Sequence, residues 1–600
     1  MQRRDFCKLL SIAAASKAMP AFGQTGQDNL PGLPNGFNRY TQDYAAYCAL
    51  PPHQRVFYRV SNGTIVEAKL DDAAWRPASF DKPELPIPGG SWDTVPIDSP
   101  IPDLAGTGPY KPTWDSLLQY EAPEWYQDAK FGIWAHWSPQ CVPEFGDWYA
   151  RNMYVEGSRQ NKYHLEHYGP PSRFGYKDLC AQWTLLNWEP DELIARYKKA
   201  GARIFIALAN HHDSFDTWNS RYQPWNAAAV GPHRDVIGTW ATAARKQGLR
   251  FGVTVHQAFN WWFFQPSHGL DKSGPLAGVP YDGDLTADQG KEQWWQGLDP
   301  HRMYCVKHPF DALPDVSYVK DFYDRTRDLI DQHDPDLLYF DNDRLPLGWG
   351  GMNIAAYYYN HNLETRAGKM EAVLNGKQIP DNLAKALVAD YERSLTDGIM
   401  QHPWQSETCL GEWHYQSKLF EERGEFGGYL PPRAVIHWMI DTVSKNGTFI
   451  LNVPGKPDGT IDSKEIAVLD GITSWMQVNG EAIYETRPWK IYGEGPNRAQ
   501  RGYVQGNSVS KLGPQDIRFT RNKANTVIYA IALGWPSEPI LVKALGTSAP
   551  TNPGKIGRVE LIGTDERAKW RQSREGLRVE LPTQYRPAVD YAAALKVTLA

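Results

Sequence analysis

The sequence predicts an α/β chain: a (β/α)8-like (TIM) barrel followed by a C-terminal antiparallel β-sandwich. Three observations predict it. Between about residue 126 and residue 488, short apolar runs of strand length repeatedly follow segments of helix length, and such alternation builds a parallel sheet covered by helices. It continues over about 350 residues with few breaks, which favours a closed barrel over an open sheet. Past residue 488 the helical period vanishes, and short runs separated by turn residues take over, as in a sandwich or jelly roll.

The elements follow in chain order. Residues 1–23 read as a secretory signal, with Arg3 and Arg4, a short apolar stretch Leu9–Ala15 and small residues at Ala21 and Gly23. The paired arginines before Phe6 and Lys8 resemble a twin-arginine leader, so the expected location is outside the cytoplasm, in a periplasm. Residues 24–112 read as a β-containing extension, with strand-like Val56–Val60 and Thr64–Ala68, then a linker dense in proline from Pro83 to Pro112. Residues 113–488 are the barrel. Its first buried strand is Phe131–Trp137. Helix Glu189–Ala200 closes on Gly201 and leads into strand Arg203–Ala209. Helix Asp235–Gln247 closes on Gly248 and leads into Arg250–Val255. Helix Tyr318–His333 leads into Asp336–Phe340, and helix Arg433–Lys445 into Thr448–Val453. Residues 489–600 form the sandwich, with strands at Ile517–Thr520, Val527–Leu533, Ile540–Lys543, Val559–Ile562, Leu577–Leu581 and Leu595–Leu599. There are no internal repeats.

Composition removes several function classes. The 63 Lys and Arg stand against 69 Asp and Glu, a net charge of −6, so no basic surplus exists to bind nucleic acid. No apolar run reaches the 18 residues a membrane span needs. Five cysteines remain after the signal, odd in number and widely spaced, which matches neither a zinc-finger nor a disulfide scaffold. The excess is aromatic: 24 Trp, 31 Tyr and 21 Phe. Aromatic faces stack on the C–H faces of sugars, so carbohydrate is one reading and a large aromatic core is the other.

Barrel chemistry sits just past the C-terminal ends of the strands. Here Phe131–Ala135 runs into His136, Arg203–Ala209 into Asn210, His211, His212 and Asp213, Arg250–Val255 into His256, and Asp336–Phe340 into Asp341, Asn342 and Asp343. A single such histidine is ordinarily a hydrogen-bonded core residue; four strands with the same ending mark a site. Two chemistries use such a mouth. Metal-assisted hydrolysis would take His136, His211 or His212, and Asp341 as ligands. However, the first strand lacks the usual His-x-His, and adjacent His211 and His212 point apart on a regular strand. No metal or other cofactor is therefore expected. Glycoside hydrolysis needs one ionised carboxylate to attack the anomeric carbon and one protonated carboxyl for the departing oxygen. Asp341 suits the first role, held ionised by imidazoles and an arginine. Glu407 suits the second, because Trp404, Cys409 and Trp413 surround it in sequence and apolar surroundings raise a carboxyl pKa. Glu412 is its rival.

Several separated blocks resemble glycoside hydrolase family 29, the retaining α-L-fucosidases. They are KFGIWAHWSPQCVPEFGDWYARNMY (130–154), AGARIFIALANHHDSFDTW (200–218), DPDLLYFDND (334–343), SKNGTFILNVPGKPDGTID (444–462) and VNGEAIYETRPW (478–489), in the family's order. The resemblance implies an exported exo-enzyme that forms a glycosyl–Asp341 ester and hydrolyses it, with a fucosylated oligosaccharide or glycan as substrate. It implies that His136, Trp148, His211, His212 and Arg393 hold the sugar hydroxyls and that Trp134 faces the C5 methyl. Asp147 and Tyr339 join the sugar site by the same resemblance, and His256 is expected there in place of a family Tyr.

Three departures touch the sugar. Asp147 stands where the family often has Glu, Asn210 where it often has Lys, and His256 where its third strand usually ends in a Tyr-containing segment. The insertion 257–315 carries Trp261, Trp262, Trp294 and Trp295 and is expected to line the leaving-group side. Two alternatives remain at this point: a related enzyme for an L-galactoside or a sulfated fucan fragment, and a non-catalytic carbohydrate-binding barrel. Oligomeric state is not legible in the sequence.

Overall fold

The computed structural model describes residues 43–61, 64–68, 70, 103–309, 311–420, 428–498, 502–503, 509, 511–582 and 584–600. The signal at 1–23 and the linker between 71 and 102 lie outside the described residues. What is described of the extension is a short helix, Tyr44–Cys48, and a hairpin of β1 (Phe57–Ser61) and β2 (Thr64–Ala68). The hairpin docks on the barrel side through the Leu313 amide, which donates to the Tyr58 carbonyl at 2.8 Å.

Eight parallel strands close the barrel. They are β3 (Phe131–Ala135), β4 (Ile204–Asn210), β5 (Arg250–Val255), β6 (Leu337–Asp343), β7 (Val373–Lys377) and β8 (Val388–Glu392), then, past a two-residue β9 (Ser394–Leu395), β10 (Trp404–Cys409) and β11 (Gly447–Asn452). Neighbours follow chain order, β8 pairs β10, and β11 returns to β3. Strands β3, β4, β10 and β11 are buried at every residue, because helices cover the outside while side chains fill the inside. Gly132 on β3 is held to glycine by that filling: a Cβ there would sit 2.7 Å from Ile450 Cδ1. The read helices are present as Pro190–Lys199, Val236–Lys246, Val316–His333 and Pro432–Ser444. Gly201 ends the first of them at φ +105, a left-handed turn that only glycine makes without strain.

The C-terminal domain is a two-sheet sandwich. β12 (Arg487–Glu494), β14 (Ile517–Arg521), β15 (Val527–Ala532), β17 (Ile556–Leu561) and β20 (Ala593–Leu599) make one antiparallel sheet in the order β12-β14-β15-β20-β17; β16 (Ile540–Val542), β18 (Lys569–Gln572) and β19 (Leu577–Glu580) make the other in the order β16-β19-β18. The remaining strand, β13 (Gly502–Tyr503), pairs β9 instead. Phe519, Leu595, Val597, Val542, Leu577 and Val579 share the core between the sheets. Polar anchors seat this domain on the barrel: Arg518 Nε lies 2.6 Å from Asp441 Oδ1, and Trp475 Nε1 donates to the Ala592 carbonyl at 2.9 Å. Among the described residues no helix is long and apolar enough to cross a membrane.

Candidate active site

The strand ends converge at one mouth of the barrel. Asp341 is the fifth residue of β6, and its carboxylate is held from three sides. Lys377 Nζ and the Tyr339 hydroxyl (3.2 Å) reach Oδ1, and His256 Nδ1 lies 2.9 Å from Oδ2. Burial alone would raise the Asp341 pKa. Lys377 and then His256 outweigh it and hold the carboxyl well below its usual value. The sequence reading expected imidazoles and an arginine; the cation next to Asp341 is instead a lysine, at the end of β7.

Glu407 projects from β10 toward the same point. Its Oε1 accepts from the Tyr339 hydroxyl at 2.8 Å and lies 3.4 Å from Lys377 Nζ, while its Oε2 is buried without a hydrogen-bond partner. The Glu407 pKa is pushed well above the carboxylate range, first by burial and then by the negative charge of Asp390. Burial is the largest cause, and Tyr339, Lys377 and other carboxylates also surround the group.

Asp390, on β8, accepts from the Tyr339 hydroxyl at 2.9 Å and from Gln405 Nε2 at 2.8 Å. Burial raises its pKa to about 7. One hydroxyl proton thus faces three carboxyl oxygens. Tyr339 keeps that proton, since burial raises its own pKa well above 10. It can donate to only one of them. At least one of the others has to carry a proton and donate back. The geometry fits a mixed protonation state, with Asp341 ionised and a proton on Asp390 or Glu407.

Glu392 closes the group. It ends β8, its Oε2 lies 2.8 Å from Lys377 Nζ, and its side chain is 25% exposed, against 13% for Asp341 and 1% for Glu407. The three acids have carboxylate oxygens within 4.8 Å of one another. The Lys377 ammonium contacts all three and supplies the positive charge that such a group requires. Glu412 lies outside this group. Its Oε1 caps the Trp413 amide at 2.9 Å, and its stem lies against Gly146.

On the other side of Asp341 stands a wall of rings. Trp134 on β3 packs with ring centroids 5.8 Å from Tyr339, 6.0 Å from His256 and 5.4 Å from Trp413. The His136 ring lies tilted 5.1 Å from His211 and edge-on 5.2 Å from His256. His211 and His212 follow the last residue of β4 and turn together, with rings 4.2 Å apart. The expectation that they point apart on a strand is corrected, because the strand has ended. Both stay neutral. Burial and the neighbouring imidazoles hold His211 well below its usual pKa, and burial and His256 bring His212 to about 4. Asn210 braces the turn, since its Oδ1 accepts from the His256 amide at 3.0 Å and from the Gln257 amide at 3.2 Å.

Asp147 Oδ1 accepts from His414 Nδ1 at 2.8 Å. Trp148, left-handed at φ +62, sets its ring 5.7 Å from His212. Arg393 follows Glu392, left-handed at φ +46 and buried, and its amide donates to the Glu407 carbonyl.

The predicted aromatic rim of the insertion differs in detail. Trp261, Trp262 and Trp295 are buried. Trp261 stacks on His308 with centroids 4.4 Å apart and donates to the Ala312 carbonyl. Exposed Trp294 binds Asp178. The insertion faces the site through Phe259 and Phe263, which pack on Trp148 and His212.

Sequence reasoning missed Lys377, Asp390, Glu392 and His414. The first three lie on two strands that it did not find: Lys377 ends Val373–Lys377, Glu392 ends Val388–Glu392, and Asp390 sits in the middle of the second. His414 sits in a loop with no local signal.

The chain resembles known proteins over most of its length. Residues 103–481 match the family described as Alpha-L-fucosidase, and residues 512–598 match the Alpha-L-fucosidase C-terminal domain. The chain is 26% identical to the tissue alpha-L-fucosidase of Rattus norvegicus over 502 residues, covering 82% of this chain and 92% of that one. It is equally identical to the Homo sapiens tissue enzyme over 501 residues, with the same coverage. Among solved structures, the Thermotoga maritima alpha-fucosidase in complex with a mechanism based inhibitor superposes with a TM-score of 0.60 at 26% identity, over 82% of this chain and all of that one.

Proposed function

The chain belongs to the α-L-fucosidase family, glycoside hydrolase family 29, and from that premise we propose that it is a retaining exo-enzyme that releases terminal α-L-fucosyl residues from oligosaccharides or glycans. The observation that carries the mechanism is the pair Asp341 and Glu407. Their oxygens lie within 4.8 Å of each other, and their surroundings push the pKa of the first well down and that of the second well up. Retaining glycosidases keep their two carboxyl groups about 5–5.5 Å apart, close enough for direct attack and too close for an intervening water.

In this reading Asp341 attacks C1 of the sugar as Glu407 delivers a proton to the glycosidic oxygen, which leaves as an alcohol. Lys377 and His256 orient the nucleophile. A water then attacks C1 of the glycosyl ester, and the deprotonated acid takes up the water's proton. Two displacements at one carbon return the original anomeric configuration. His136, His211, His212, Asp147, Trp148 and Arg393 hold the hydroxyls, and Trp134 covers the C5 methyl. The last point favours fucose over L-galactose, whose hydroxymethyl requires room and a polar partner. The paired carboxylates speak against a purely binding barrel.

A second reading of the proton donor rests on one observation. The departing oxygen leaves toward solvent, and Glu392 is the member of the acid group with a quarter of its side chain exposed. A leaving-group series separates the two. If Glu407 is the donor, Glu407→Gln lowers kcat/KM on fucosyl disaccharides about 10²–10⁴-fold and spares fluorides and dinitrophenyl fucosides, while Glu392→Gln affects all substrates alike. The reverse pattern transfers the role to Glu392. Proton NMR of the first-formed fucose tests retention: the α-anomer is expected, and the β-anomer would refute it.

The same reading places the protein outside the cytoplasm, from Arg3, Arg4 and the short apolar stretch after them. Conversion of both arginines to lysine should strand the precursor in the cytoplasm.

A further inference from the structure

We propose that the ring wall of this site is also a binding site for a zinc-class divalent transition-metal ion, formed by His136, His211, His414 and Asp147. The ion is not a participant in hydrolysis but a ligand that excludes the sugar. These four residues come from four different segments of the barrel mouth: the turn after β3, the loop before helix Tyr149–Asn152, the turn after β4 and the loop after β10. One ligand atom from each lies within 4.8 Å of the other three. The ring centroids of the three histidines are 4.6, 5.1 and 5.1 Å apart. All four side chains are buried, which fixes their rotamers before any ion arrives. Three imidazoles and one carboxylate are the donor set that zinc, cobalt and copper prefer, and four ligands on one centre make a tetrahedral site.

The outer ring nitrogens support the same conclusion. A metal-bound imidazole donates its other N–H to a polar partner. His414 Nε2 lies 2.8 Å from Ser138 Oγ, and His211 Nδ1 lies 2.6 Å from the Gln140 side-chain amide. Without an ion, the inner nitrogens face Asp147: His414 Nδ1 at 2.8 Å and His211 Nε2 at 3.7 Å. Metal binding requires each proton to move from the inner nitrogen to the outer one. The Ser138 hydroxyl can accept as readily as donate. Gln140 accepts once its amide turns over, which gives up only a 3.4 Å contact between its Oε1 and the Ala150 amide.

Lys377 is what separates this cluster from the acid group a few ångströms away. There an ammonium stands among the carboxylates; here the side chains gathered are three imidazoles and one carboxyl.

Cobalt(II) titration of the full chain tests the proposal. Four-coordinate Co2+ absorbs strongly in the visible and six-coordinate Co2+ only weakly. The expected result is one strongly absorbing ion per chain, displaced by Zn2+, with affinity at least about tenfold weaker in both His414→Ala and His136→Gln. Thermal melts in a chelator establish that each variant is folded, and either variant alone suffices for the comparison. A weak six-coordinate spectrum, or variants that bind Co2+ as tightly as the parent chain, would overturn it. The exclusion of sugar rests on the fucosidase reading and is read separately. Added L-fucose should raise the apparent Co2+ dissociation constant. An unchanged Co2+ spectrum with no fucose effect would leave the metal site standing and overturn the assignment of these histidines to the sugar.

Discussion

His256 Nδ1 lies 2.9 Å from Asp341 Oδ2, on the side of the carboxylate opposite Lys377. The contact spans two neighbouring barrel strands and orients the carboxylate that we propose as the nucleophile. It also helps to keep Asp341 ionised against its burial. Removing it with His256→Phe should lower kcat by about 10–100-fold. The sign of the pH effect follows from the same contact. Asp341 acts as the anion, so losing a group that depresses its pKa moves the acid limb of kcat/KM to higher pH. A pH–rate profile on an activated aryl fucoside measures both; an unmoved acid limb would mean that Lys377 alone sets the ionisation.

Asp390 has the opposite sign. Its folded pKa of about 7 stands above its ordinary 3.8. The unfolded chain loses that proton at lower pH than the folded chain does. Stability attached to this group is therefore complete below about pH 3.8 and is lost as pH rises through about 7. Asp390→Asn removes the titration and preserves the shape. Its Tm relative to the parent chain should rise between pH 5 and pH 8, by about 1–2 °C, as differential scanning calorimetry across that range would record.

Trp134 is the residue we propose to select the sugar. Its buried ring stands beside Tyr339 and His136 on the face assigned to the C5 methyl. Trp134→Ala should raise the ratio of kcat/KM for the L-galactoside over the L-fucoside by about tenfold, with both rates falling. Paired nitrophenyl glycosides give that ratio directly. An unchanged ratio would place the methyl elsewhere.

Arg518 ties the two domains together. It lies 2.6 Å from Asp441, which also takes Lys445 at 2.6 Å. These cations hold the buried Asp441 carboxyl below its usual pKa, Arg518 contributing more. Breaking a buried pair costs about 3–5 kcal/mol, and Lys445 limits the loss in Arg518→Met. The variant should melt several degrees lower at pH 7, with kcat at 25 °C retained. This stability is present above the ordinary carboxyl pKa and disappears as pH falls through the depressed one, so the deficit narrows below about pH 4.

How much of this was legible in the sequence depended on what each strand buries. β3, β4, β5, β6 and β11 are apolar on both faces, so a run of Val, Ile, Leu and Phe announces them, and the residue after the run announces the site. β7, β8 and β10 could not be read that way. They point Lys377, Asp390, Glu392, Gln405 and Glu407 into the barrel, and those polar side chains erase the apolar run. The strands that carry the most chemistry are thus the ones the pattern hides. Asp341 was found because it follows an apolar strand; Lys377 was missed because its own strand has only two apolar residues. The double histidine was found but its geometry was not, since the end of β4 at Asn210 frees both rings to face one pocket. His414 has no periodic context, and only the fold brings it to His136.

The central claim is that Asp341 bonds covalently to the sugar. The most direct measurement is trapping with 2-deoxy-2-fluoro-α-L-fucosyl fluoride, followed by mass spectrometry of the intact chain and of its peptic peptides. The account predicts one fluorofucosyl group per chain, attached to Asp341 within 334–343, and none in Asp341→Asn. A label on any other carboxylate, or an Asp341→Asn variant that still hydrolyses fucosides at the parent rate, would contradict it.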